Sequence, residues 1–164
     1  MAGDNVAVTC APSIIDELER IHHRISERAY ERYRANDGWS TPDQNWLNAE
    51  RELFWQPAVE LCQRDGRFEV CAAVAGVDPK DLALTVTSED LLITGNGAHE
   101  HRAERGTVHL CEFSRGGLLR SVHFPVPIVP EKVAAECRNG LLTITAPISQ
   151  PEAATETDER RRRR

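Results

Sequence analysis

Asn139-Gly140, set between two alternating runs, is the feature that most narrows what this chain can become. A two-residue type I′ turn needs positive φ at both positions, which asparagine tolerates and glycine adopts freely. After the turn, Leu142, Ile144 and Ala146 share one face while Thr143 and Thr145 share the other. That is the period of two of a strand with one buried side. Before the turn, residues 133–138 supply the partner strand, so 133–147 is predicted to be an antiparallel hairpin.

The same period runs back through the chain to Ala58, where Gln56-Pro57 breaks a preceding helical pattern. Residues 59–64 and 67–74 read as strands around an Asp65-Gly66 turn. Residues 82–87 and 91–94 form a further pair around Ser88-Glu89-Asp90, and 118–124 is another strand. Residues 95–106 are polar and glycine-rich, a long loop by ordinary standards, with a possible strand at 107–113 beyond it. Arg115-Gly116-Gly117 lies between two strands and reads as a hairpin loop. Many short strands at regular spacing with Gly and Pro turns predict a mainly β protein, an immunoglobulin-like antiparallel β-sandwich over 56–148.

Three other segments complete the organisation. Residues 1–11 read as a loose, flexible terminus. Residues 12–55 read as a helical hairpin: Ile14, Leu18, Ile21, Ile25, Ala29 and Tyr33 follow a spacing of three to four, with either Pro12 or Ser13 at the start. Asn36-Asp37-Gly38 stops this helix. Thr41-Pro42-Asp43 opens a second, which Trp46, Leu47, Glu50, Leu53 and Phe54 carry to about Trp55. Residues 149–164 are polar, end in five arginines and lack the apolar content to fold.

The hairpin spacing Ala135-x-x-x-Asn139-Gly140-x-Leu142 resembles the signature of the α-crystallin domain, the core of the small heat-shock proteins. Two further blocks stand in the right order. Ala75-Gly76-Val77-Asp78-Pro79-Lys80-Asp81-Leu82 is similar to the family's Pro-Gly-Val-x-Pro-Glu-Asp-Ile loop. Leu118-Leu119-Arg120-Ser121-Val122-His123-Phe124-Pro125 is similar to Phe-x-Arg-x-Phe-x-Leu-Pro, with Leu118 and Val122 replacing the two phenylalanines. The resemblance implies a strand-exchanged homodimer in which 107–113 reaches a partner subunit. Thr107, Val108, His109, Leu110 and Arg120 would lie at that interface, with Arg120 in an ion pair. It also implies a groove for a client or tail peptide flanked by Leu82, Leu84, Val86, Ala135 and Cys137, with Leu142 and Ile144 beneath as core. The function implied is an ATP-independent holdase that binds partly unfolded proteins. Two departures stand out: after Pro147 the tail offers Ile148 alone rather than an Ile-x-Ile plug, and a helical hairpin replaces a flexible Phe-rich arm. That hairpin resembles a short bacterial domain with no assigned function, through Ile25-Ser26-Glu27-Arg28-Ala29-Tyr30 and Asn45-Trp46-Leu47-Asn48-Ala49-Glu50-Arg51-Glu52-Leu53.

Composition bears on the alternatives. A formal charge of −6 counts against nucleic acid as the main partner, although Arg160–Arg164 is a dense basic patch. Residues 1–10 carry no secretory pattern, and no run approaches the roughly 18 apolar residues of a membrane span. The cytoplasm is therefore the expected compartment, with no membrane partner. Cys10, Cys62, Cys71, Cys111 and Cys137 form no Cys-x-x-Cys pair and read as small buried hydrophobes kept reduced. His99-Glu100-His101 brings two imidazoles and a carboxylate together without a further ligand, so no metal site is assigned, and no cofactor is expected. No nucleophile elbow, phosphate loop or dinucleotide fingerprint occurs, and the chain is read as non-catalytic. The alternative to the holdase is a non-catalytic scaffold that recognises one partner through the helical hairpin.

Overall fold

The computed structural model describes residues 3–35, 39–97, 106–113 and 116–149. Asn36-Asp37-Gly38, His99-Glu100-His101, Arg115 and the tail beyond residue 149 lie outside them. Two five-stranded sheets face each other. The first has the order β1-β9-β10-β5-β4 and the second β2-β6-β7-β8-β3. In chain order the strands are β1 (Asp4–Asn5), β2 (Val8–Cys10), β3 (Phe54–Trp55), β4 (Val59–Arg64), β5 (Arg67–Ala73), β6 (Leu82–Val86), β7 (Asp90–Asn96), β8 (Gly117–His123), β9 (Ala134–Arg138) and β10 (Leu141–Pro147).

The alternation seen in the sequence is the reason the sandwich closes. Phe68, Val70 and Ala72 of β5, Leu82, Leu84 and Val86 of β6, and Leu142, Ile144 and Ala146 of β10 all point inward and are buried. Phe68 stacks on Phe124 with ring centroids 5.4 Å apart. The turn at Asn139-Gly140 has φ of 52° and 77°, as a type I′ hairpin requires. It sets the register Leu141↔Arg138 and Leu142↔Cys137.

Ahead of the sandwich stand helices α1 (Ile15–Ala35) and α2 (Pro42–Leu53). Ser13 caps α1, its Oγ accepting from the Ile15 amide at 3.1 Å. Thr41 and Gln44 form a reciprocal capping box on α2. Ile21 and Ile25 pack on Ala49, and this small cluster reaches Phe54 and Leu119, so the hairpin rests against β3 and β8. Leu18, Tyr33 and Leu47, placed on the apolar stripe by their spacing, are exposed. α2, at 12 residues, covers only part of the 21-residue α1, so the seam buries the residues nearest the crossing.

Three sequence expectations are corrected. Residues 1–11 are not loose throughout: β1 pairs antiparallel with β9 and β2 pairs parallel with β6. Phe54 and Trp55 are not helical: the residue before Pro57 is driven to extended backbone, and the chain already leaves the helix at Phe54 (φ −138°, ψ 149°) to run parallel to β8. Residues 106–113 form no strand in the single chain. Among the described residues no helix is long and apolar enough to cross a membrane.

Candidate functional site

A sandwich of two sheets has two open sides where the sheet edges face each other. On one side the edge strands β6 and β9 would leave a trough lined by Leu82, Leu84, Val86, Ala135 and Cys137. All five are buried, and Leu142 and Ile144 below them are fully enclosed core. The trough is closed by this chain's own N-terminal segment. Asp4 and Asn5 register against Cys137 and Glu136. The Val6 amide donates to the Ala135 carbonyl at 3.1 Å. Val8, Thr9 and Cys10 then register against Leu84, Thr85 and Val86 of the other sheet, and the Ala11 amide donates to the Val86 carbonyl at 2.9 Å. Val6 is 3% exposed and belongs to the sandwich core, with Val8 packed beside it.

Sequence reasoning missed this lid. Its signal was present: Val6-Ala7-Val8-Thr9 alternates and is rich in β-branched residues. A segment of two short pairings has no local partner to reveal it.

The opposite side of the first sheet ends in β4, which pairs only with β5 and leaves its other edge unpaired among the described residues. Thr107, Val108, His109 and Leu110 lie in the irregular segment 106–113, and all four are exposed, Leu110 at 78%. The structure therefore brings neither these four nor Arg120 together with the trough residues. Arg120 is half-buried in β8, opposite Ile93. Its Nη1 donates to Gln56 Oε1 at 3.1 Å, while its Nε is buried without an acceptor among the described residues. The cation is answered within the chain by a neutral amide. Leu92, Leu119 and Ser121 line a cavity of about 290 Å³ beside it, which reaches Leu18 and Glu50 of the helical hairpin.

Three thiols, those of Cys62, Cys71 and Cys137, are held in the protonated form. The Cys62 Sγ–H donates to Glu60 Oε1 at 3.3 Å, and this bond to a carboxylate holds its pKa above the usual thiol range. Burial does the same for Cys71 and Cys137. A raised pKa keeps the thiol protonated and slow to react. Cys10 and Cys62 are exposed rather than buried, against the expectation from composition. Ile148, the one apolar residue after Pro147, bridges Ile128 and packs on its own sandwich.

Known proteins share this architecture. The chain is 31% identical over 113 residues to Spore protein SP21 of Stigmatella aurantiaca, covering 69% of this chain and 63% of that protein. It is 24% identical over 100 residues to Small heat shock protein C2 of Rickettsia felis, covering 61% of this chain and 64% of that protein. The chain thus spans a little under two thirds of the length of these two relatives. Among solved structures, Heat shock protein 16.0 from Schizosaccharomyces pombe matches with a TM-score of 0.53 and 26% identity, over 60% of this chain and 94% of that one. The sequence profile of the Hsp20/alpha crystallin family matches residues 60–161, from the free edge strand through the closing hairpin and beyond. A β-sandwich with this strand order, closing on Asn139-Gly140, places the chain in the Hsp20/alpha crystallin family, the small heat-shock proteins.

Proposed function

We propose that this chain is an ATP-independent holdase that captures partly unfolded proteins in the cytoplasm and keeps them from aggregating. The family is one of chaperones rather than enzymes. The observation that carries the finer reading is the unpaired edge of β4. A free edge presents a row of unsatisfied N–H and C=O groups and is a template for β-addition. A chain that keeps one open needs either a partner or a client to cover it. The exposed apolar side chains of Val108 and Leu110 supply the second ingredient. In the resting protein, residues 107–113 of one subunit cover the β4 edge of another, giving a strand-exchanged homodimer. Heat loosens that pairing and offers both edge and apolar segment to an unfolding client. No chemical step and no nucleotide are required.

Light scattering of a heat-unfolding model enzyme, with and without this protein and without ATP, tests the reading. Suppression near stoichiometric amounts, leaving a soluble co-complex, is the expected result. No suppression across the stress range overturns it.

One observation favours a scaffold instead. Tyr30, Tyr33 and Trp39 are exposed on or beside the helical hairpin, Trp39 at 93%, and aromatic side chains are enriched at protein interfaces. A saturable complex with one folded protein, lost when Trp39 and Tyr30 are replaced by serine, is the signature of that reading.

A further inference from the structure

We infer that the cleft between the helical hairpin and the sandwich binds a free α-amino acid with an apolar side chain. Its carboxylate sits on Arg120, its ammonium on Glu50 and its side chain among Leu18, Leu92 and Leu119. The inference is independent of the holdase reading.

The cleft holds about 290 Å³ and is walled from two sides. Leu18 of α1 and Glu50 of α2 come from the hairpin, while Leu92 of β7 and Leu119, Arg120 and Ser121 of β8 come from the sandwich. Ligand pockets run from about 300 Å³ upward, so this volume suits one small metabolite rather than a peptide. The apolar lining is uneven. Leu92, opposite Ser121 in the sheet, is 1% exposed and forms the floor, whereas Leu18 is 38% exposed. An apolar group of a few carbons lying on Leu92 would cover Leu18 as well.

Uncommitted polar groups carry the recognition. The Arg120 Nη1 is taken by Gln56 Oε1 at 3.1 Å, which leaves the Nε–Nη2 edge of the guanidinium without a partner among the described residues, its Nε buried. That edge presents two parallel N–H groups, the geometry that matches the two oxygens of a carboxylate. Glu50 lines the same cleft, and its carboxylate has neither an ion pair nor a hydrogen bond among the described residues. The two charges thus face one cleft without pairing to each other. A simple anion would suit Arg120 and be repelled by Glu50; a simple cation would meet the reverse. A small molecule carrying both charges on neighbouring carbons answers both, and that is an α-amino acid. Ser121 adds a hydroxyl able to donate to the carboxylate or accept from the ammonium. Such an occupant touches hairpin and sandwich together and stabilises their contact as it binds.

The test is isothermal titration of the full chain with L-leucine, against glycine, isocaproate and isoamylamine, which lack the side chain, the ammonium and the carboxylate in turn. Leucine is expected to give a saturable heat, and each analogue to bind at least about tenfold more weakly, because a site built around a charged group is left with an unpaired partner when that group is missing. Glu50→Gln should weaken leucine and strengthen isocaproate, since the repelling carboxylate is gone. Arg120→Met should weaken leucine and leave isoamylamine unchanged. Leucine without a saturable heat up to its solubility, or binding no tighter than isocaproate and isoamylamine, overturns the inference. So do variants that shift leucine and both analogues by the same factor, as a merely structural role would. The analogue series on the parent protein decides alone if either variant fails to fold. Aggregation suppression, measured without leucine, bears only on the holdase reading.

Discussion

Gly116, at φ +94°, lies against the carbonyl of Leu53 so closely that a methyl group at 116 would stand 2.3 Å from that oxygen. Leu53 ends α2, and the next two residues form β3 on β8. This contact is where the helical hairpin is joined to the sandwich. An L-residue at 116 meets both left-handed backbone strain and main-chain collision. Gly116→Ala is expected to cost more than about 2 kcal/mol. Denaturant unfolding followed by tryptophan fluorescence, with Trp55 in β3 as the nearest reporter, checks it. Unchanged stability would mean the hairpin does not rest on β8.

Gly140 stands at φ +77° in the closing hairpin, and a Cβ there would approach the Ala75 Cα at 3.0 Å. Gly140→Val adds a β-branched side chain at positive φ, costing roughly 1–2 kcal/mol for the backbone before the crowding at Ala75 is counted. The melting temperature should fall by several degrees. A variant that melts with the parent would refute the turn assignment.

Arg120 distinguishes an isolated chain from the proposed dimer. Among the described residues its partner is the neutral amide of Gln56, and its Nε is buried without an acceptor. Arg120→Met keeps the apolar stem and removes a half-buried charge, so within one chain its effect on stability should be under about 1 kcal/mol in either direction. If a partner subunit supplies a carboxylate, the same variant leaves that group unpaired and costs about 3–5 kcal/mol. Unfolding measured across a range of protein concentrations separates the two.

Leu110 tests the exchanged strand more directly. Leu110→Asp places a charge in a segment that is exposed in the single chain. The fold should be indifferent to it. Size-exclusion chromatography with light scattering should show the proposed dimer shifting toward monomer. An unshifted dimer of normal stability would remove 107–113 from the interface.

Acid should loosen the helical hairpin before the sandwich. The Glu52 carboxylate lies between Arg28 and Arg32, and the hydrogen bond from Arg28, foremost, holds its pKa below the ordinary carboxylate range. A group whose pKa is depressed by folding stabilises the fold above its unfolded value and stops doing so as pH falls through the folded one. The contribution is therefore whole at neutral pH and fades below about pH 4. The three side chains are 31–41% exposed, so solvent screens the cluster and the effect is small and shrinks with salt. Glu52→Gln should lower the melting temperature slightly at pH 7 and flatten its acid dependence. A parent and variant with parallel acid profiles would show the ion pair to be idle.

The legible parts of this fold are those whose cause is local. Phe68-x-Val70-x-Ala72 and Leu142-x-Ile144-x-Ala146 announce themselves because each strand buries one face. Asn139-Gly140 does so because few residues accept its backbone. Phe54 and Trp55 were misleading because the helical spacing of Trp46, Leu47 and Leu53 runs straight into them, and only Pro57 hints at the change. Leu84 and Ala135 stand on strands β6 and β9, both covered by residues 4–10, and that cover leaves little mark in the sequence. Val6 and Val8 take their conformation from strands far along the chain, and two or three residues carry too little pattern to show it. Gln56 as the answer to Arg120 was hidden for the same reason.

The parallel and antiparallel pairings of residues 4–10 also order events during synthesis. This segment is made before every other strand, yet one of its two partners, β9, belongs to the hairpin that is made last. Contacts of such long sequence separation form slowly. Val6 must therefore wait, uncovered, while nearly the whole sandwich is translated, and Val8 waits until β6 is made. For that interval the nascent chain displays an apolar strand of its own.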